Sequence, residues 1–180
     1  MDLRKIIQGC KKGNDASQKM LYDLFSKKLF AITLRYAHSK EDAQDIFQDA
    51  FVKVFKNIHS YKDFGSFEAW LKRIFINTAL NYYRKDKNNL KVSLSDISIS
   101  DEENEDENFY CYFTKEMIVD AIEELPLRQR VIFNMIEIDS YSYQEVSKIL
   151  NIEQSSCRVH NFKAKKHIRE KLLAKQKKEK

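Results

Sequence analysis

Glycine and proline are nearly missing: the 180 residues hold three glycines and one proline. A sheet-rich chain needs turn residues every few positions and a phosphate-cradling loop needs glycines, so an all-helical fold is expected instead. Cysteine is sparse as well. Cys10, Cys111 and Cys157 are scattered and odd in number, which predicts free thiols in a reducing cytoplasm. No apolar run approaches a bilayer's thickness, and the N-terminal stretch MDLRKIIQGCKKGND lacks a signal peptide's apolar core. The chain is therefore read as cytoplasmic, with no membrane insertion. Neither HExxH nor a nucleophile elbow occurs. Cys157 and His160 are three apart on a predicted helix, but two ligands do not make a structural zinc site. No catalytic residue, metal or cofactor is expected.

What the chain does have is charge, unevenly placed. The net charge is only +5, so distribution matters more than sum. The stretch Ser39–Ile58 carries apolar residues at Ala43, Ile46, Phe47, Ala50, Phe51, Val54, Phe55 and Ile58. That spacing predicts a helix with one wide buried stripe, capped by Ser39 with Asp42 three residues on. Its other face holds Glu41, Asp42, Gln44, Asp45, Gln48 and Asp49 before turning basic at Lys53 and Lys56. Acid early and base late also suits the helix dipole, so a merely solvated face accounts for the order equally well.

Before it, residues 2–12 and 15–37 read as helices broken at Gly13-Asn14, with Leu21, Leu24, Phe25, Leu29, Ile32 and Tyr36 as the second helix's apolar series. After it comes a loop from His59 to Gly65. Ser66 then caps a helix whose stripe runs Phe67, Trp70, Leu71, Ile74, Phe75 and Thr78. The end of that helix, Asn77 to Lys85, interleaves aromatics with basic residues. Stacking faces beside phosphate-binding charges suit single-stranded or melting DNA. The plainer reading packs Tyr82 or Tyr83 on the core.

From Asp96 to Glu107 there are seven acidic residues and no basic one. Such a segment cannot bury enough apolar surface to offset ordering entropy, so a flexible linker is expected. Helices around Met117–Leu125 and Leu127–Ile138 follow. Ser142-Tyr-Gln-Glu145 reads as a capping box opening a short helix with Val146, Ile149 and Leu150 inside. A turn at Asn151-Ile152 leads to a longer helix starting near Ser155 or Ser156, with Cys157, Ala164, Ile168 and Leu172 on its buried stripe. Short helix, tight turn and longer basic helix make the helix-turn-helix pattern. Ser156, Arg158, Val159, Phe162, Lys163 and Lys166 are placed away from that stripe. Lysine and arginine there suit phosphates, with a guanine edge as the alternative for Arg158; Val159 and Phe162 suit thymine methyls or simple packing on a partner.

These three stretches, in this order, resemble the sigma-70 family of RNA polymerase sigma factors, nearest to the small two-domain extracytoplasmic-function group. DAQDIFQDAFVKVFKNI resembles the family's polymerase-binding helix, GSFEAWLKRIFINTALNYYRKDK its melting and minus-ten segment, and LPLRQRVIF with YSYQEVSKILNI its minus-thirty-five-binding domain. The departures are Asn81 where Asp is common, Ser140 and Asn151 where Gly is frequent, Ser147 where Ala is usual, and Cys157 and Asn161 at positions usually aliphatic. Asn161 is the oddest, because an unpaired buried amide is costly.

The resemblance implies two small all-α domains joined by the acidic linker: residues 1–90 as sigma region 2, 91–113 as linker, and 114–180 as the region 4 helix-turn-helix. It implies a sigma factor without catalysis of its own that directs core polymerase to promoters. Asp42, Asp45, Gln48 and Asp49 would bind the polymerase clamp. Tyr61, Phe64, Asn77, Tyr82, Arg84 and Lys85 would engage the melted minus-ten strand, and Ser156, Arg158, Val159, Phe162, Lys163 and Lys166 the minus-thirty-five duplex. An anti-sigma partner is usual for the group. Two rivals remain: a stand-alone dimeric helix-turn-helix regulator, which leaves the acidic helix unexplained, and a helical nucleic-acid enzyme, which needs a carboxylate or metal constellation.

Overall fold

In the computed structural model, residues 2–62, 66–85 and 109–178 are described, and every regular element among them is helical. The chain divides into two compact units after Asp86, each with its own core. Most of the predicted linker, 91–108, lies outside the described residues.

The first unit contains α1 (Leu3–Lys11), α2 (Asp15–Tyr36), α3 (Lys40–Asn57), a 3-10 turn at Ile58–Ser60, and α4 (Phe67–Lys85). The α1–α2 break needs Gly13, which turns at φ 73°, a conformation costly for residues with a Cβ. Asn14 then caps α2 by accepting from the Ser17 amide at 2.9 Å. Ser39 caps α3 by accepting from the Asp42 amide at 3.0 Å. The stripes of α2, α3 and α4 pack on one another. At their centre Phe47, Phe51 and Phe75 meet edge to face, with Phe51 and Phe75 centroids 5.2 Å apart. Edge-to-face pairs add about 1 kcal/mol each beyond burial. Leu24, expected on the buried series of α2, is 49% exposed. The inward stripe runs through Leu21, Leu29, Ile32, Thr33 and Tyr36, and Leu24 falls beside it.

The second unit begins earlier than the sequence indicates. Residues Phe109–Tyr112, assigned to the linker, form a 3-10 turn. Phe109 lies in the core with Ala121, Leu125, Phe133, Ala164, Ile168 and Leu172, and its ring carries the Arg169 guanidinium at 4.5 Å. The acidic run itself ends at Glu107, two residues before this anchor. There follow α5 (Lys115–Glu123), α6 (Leu127–Phe133), α7 (Tyr143–Leu150) and α8 (Gln154–Lys178). The expected helix to Ile138 instead changes to a π-helical turn over Asn134–Ile138. α8 packs against α5, α6 and α7; Lys171–Glu124 at 2.5 Å and Lys175–Asp120 at 3.0 Å pin its far end to α5.

Candidate functional site

In the first unit, burial of Ala43, Ile46, Phe47, Ala50, Phe51 and Val54 fixes the rotation of α3. Asp45, Gln48 and Asp49 are consequently exposed, and Asp42 is partly covered. Gln48 also lines an open groove between α2 and α3 with Tyr22, Lys27, Phe30 and Phe47. The acidic face is thus a formed surface beside an aromatic floor. Asp42 is less free than its neighbours, because its Oδ1 accepts from the Tyr82 hydroxyl at 3.0 Å.

The choice between Tyr82 and Tyr83 is settled by α4's packing. Tyr83 is 5% exposed and Tyr82 39%, so Tyr82 presents its ring. Asn77, Arg84 and Lys85 are exposed along the same terminal turns, and Arg84 donates to Asn81. That bond gives a role to the amide standing where Asp is common. Tyr61 departs from expectation. It is 6% exposed, packs its ring on Phe67 and Trp70 at 4.9 and 5.6 Å, and its carbonyl accepts from the Lys11 ammonium at 2.9 Å. An aromatic following the 3-10 turn closes the core here, so its face is not offered to a base. Phe64 lies outside the described residues.

In the second unit the helix-turn-helix is built by local chemistry. The Ser142 hydroxyl accepts from the Glu145 amide at 3.2 Å while the Glu145 carboxylate accepts from the Ser142 amide at 2.8 Å. That backbone bond, with the Ser142 hydroxyl, holds the Glu145 carboxyl below its usual pKa. Asn151 ends α7 at φ 53° and Ser140 precedes the box at φ 59°. Both are positions where the family often has glycine, and the left-handed backbone explains why. The Ser147 hydroxyl donates to the Ile152 carbonyl at 2.6 Å, sealing the turn.

α8 starts at Gln154, ahead of the expected Ser155 or Ser156. Cys157, Ala164, Ile168 and Leu172 are fully buried as expected. Arg158 and Lys166 are exposed, and Val159, Phe162 and Lys163 half-buried. Ser156 is corrected: it is 5% exposed, because the first turn of α8 tucks against α6 and α7. The sequence also missed the polar partners of Asn161. Its Nδ2 donates to Glu137 Oε1 at 2.7 Å and to Tyr143 Oη at 2.9 Å, so the buried amide is held across two elements. Nothing in local spacing signals that contact, since the partners lie 24 and 18 positions away. His160 sits beside it, its pKa pushed down to about 4 by burial, then by the Arg128 and Lys163 charges.

Among the described residues no group of three His, Cys, Asp or Glu side chains is placed to hold a metal, and no helix is long and apolar enough to cross a membrane.

Comparison with known proteins accounts for both units. Sigma-70 region 2 matches residues 21–89, and Sigma-70, region 4 matches residues 115–168. The chain is 27% identical over 179 residues to the ECF RNA polymerase sigma-E factor of Haemophilus influenzae, covering 93% of each chain. It is 26% identical over 175 residues to the protein of that name from Escherichia coli K12, covering 91% of this chain and 90% of the other. The fold is similar to that of CnrH, solved in complex with the cytosolic domain of CnrY, at a TM-score of 0.51 and 17% identity, covering 96% of this chain and 99% of that one. With both regions matched in order and the relatives matched nearly end to end, the chain belongs to the sigma-70 family of RNA polymerase sigma factors, in its extracytoplasmic-function group.

Proposed function

We propose that this sigma factor attaches to core RNA polymerase through the exposed face of α3 and places two DNA-reading elements on a promoter. Asp45, Gln48 and Asp49, with Asp42 at their margin, meet a basic surface of the polymerase clamp; complementary charge sets encounter rate and register more than raw affinity. Tyr82, Arg84, Lys85 and Asn77 engage the melted minus-ten strand, Tyr82 by stacking and the basic groups through phosphates. α8 lies in the major groove of the minus-thirty-five element, with Arg158 at a base edge, Lys163 and Lys166 on phosphates, and Val159 and Phe162 on thymine methyls. The catalysis is the polymerase's, and the protein acts in the cytoplasm. Its partners are core RNA polymerase, promoter DNA and an anti-sigma factor.

The observation that carries this reading is the pairing, in one chain, of an acidic face held outward by α3's packing with a basic recognition helix in a separate unit. A regulator that only bound DNA would gain nothing from the acidic face. Size-exclusion chromatography with cognate core polymerase tests it. The wild-type chain co-elutes and Asp45→Arg, on an exposed position, does not while keeping its helical content. Wild-type chain running apart from the core at micromolar concentration would sink the reading.

A further inference from the structure

Asn161 is 1% exposed on the buried stripe of α8, in line with Cys157, Ala164 and Ile168. Its Nδ2 satisfies two acceptors, Glu137 and Tyr143, while its Oδ1 has no hydrogen-bond partner. Stability alone favours an aliphatic side chain over a half-satisfied buried amide. What the amide does achieve is to hold the Tyr143 hydroxyl at the opening of α7. Glu137, the other acceptor of the same Nδ2, is itself held by Lys165 at 3.3 Å. The Tyr143 ring in turn carries the Arg158 guanidinium, 5.0 Å from its centroid. Glu137, Asn161, Tyr143 and Arg158 therefore form one chain of contacts, running from the π-helical turn to the outer side of the recognition helix.

We propose that Tyr143, fixed by Asn161 and Glu137, is a positioning residue that aims Arg158 and so sets which base pair the helix-turn-helix reads at that point. A free arginine samples many rotamers. Stacked on a ring, its planar fork keeps its edge donors outward, the arrangement that meets guanine O6 and N7 in a bidentate pair. Ordering the side chain before binding also lowers the entropy lost on binding. The inference rests on the reading of α8 as the recognition helix.

The test uses holoenzyme assembled from core polymerase and the full chain, presented with promoter duplexes randomised across the upstream element; the bound fraction is sequenced. Arg158→Ala identifies the base pair that Arg158 reads, by flattening its preference about tenfold. Tyr143→Leu and Asn161→Leu are then expected to flatten the same base pair several-fold and to leave the other positions and the salt dependence as in wild type. Tyr143→Trp, which keeps a flat ring under Arg158, restores most of the preference. Asn161→Leu guards against a folding artefact, because it replaces the half-satisfied amide with an apolar side chain. Base preference left as in wild type by both Tyr143→Leu and Asn161→Leu, with any effect confined to a lower melting temperature, would mean a merely structural role and would overturn the proposal. If Arg158→Ala alters no position, the placement of Arg158 at a base edge has failed and the positioning role falls with it. If only Arg158→Ala alters one, the positioning role alone has failed.

Discussion

The Tyr82 hydroxyl donates to Asp42 Oδ1 at 3.0 Å, bridging forty positions of sequence. It ties the C-terminal end of α4 to the first turn of the acidic helix α3. One bond thus joins a residue assigned to melted DNA with one assigned to the polymerase. At this exposed position a double-mutant cycle of Asp42→Ala and Tyr82→Phe, read by thermal unfolding, is expected to show a coupling of about 1 kcal/mol or less. Strictly additive losses would show that the bond does not join the two helices energetically.

Phe109 closes the core of the second unit from outside the matched region 4. Phe109→Ala is expected to destabilise that unit by about 3 kcal/mol, the low end for a buried phenylalanine because its site borders solvent. Urea unfolding of the full chain measures it. A loss below about 1 kcal/mol, the size of a surface change, would mean that the 3-10 turn is only draped on the core.

His160 has a folded pKa of about 4 against an ordinary 6.5. Between those values the unfolded chain binds the extra proton, so stability rises with pH through this window and is lost as pH falls from about 6.5 towards 4. Melting temperatures across that range should therefore decline more steeply in wild type than in His160→Gln. Parallel profiles would remove His160 as the source.

Lys163 is half-buried on the outer side of α8. Lys163→Ala is expected to weaken upstream promoter binding and to flatten its log-log salt dependence by about one unit. A slope equal to wild type would mean that Lys163 touches no phosphate.

Much of this architecture is legible in the residues because helices announce themselves locally. The i, i+3, i+4 stripe of α3 needs no tertiary information, nor does the Ser142–Glu145 capping box. The buried positions of α8, Cys157 to Leu172, also follow from period alone. Errors fall where a side chain's fate depends on a remote partner. Tyr61 looks like a loop aromatic until Phe67 and Trp70 cover it. Ser156 looks outward until the first turn of α8 meets its neighbours. Leu24 fits the α2 series on paper, yet it falls just outside the arc that α3 and α4 reach.

The sequence by itself determined the two helical units, the acidic face, the helix-turn-helix and the family, because each depends on residue type at short, regular spacing. Only the tertiary structure decided that Tyr82 and not Tyr83 faces outward, that Phe109 belongs to a core, and that Asn161 is held by Glu137 and Tyr143. Those outcomes depend on where helices distant in sequence come to rest, and local spacing carries no record of that.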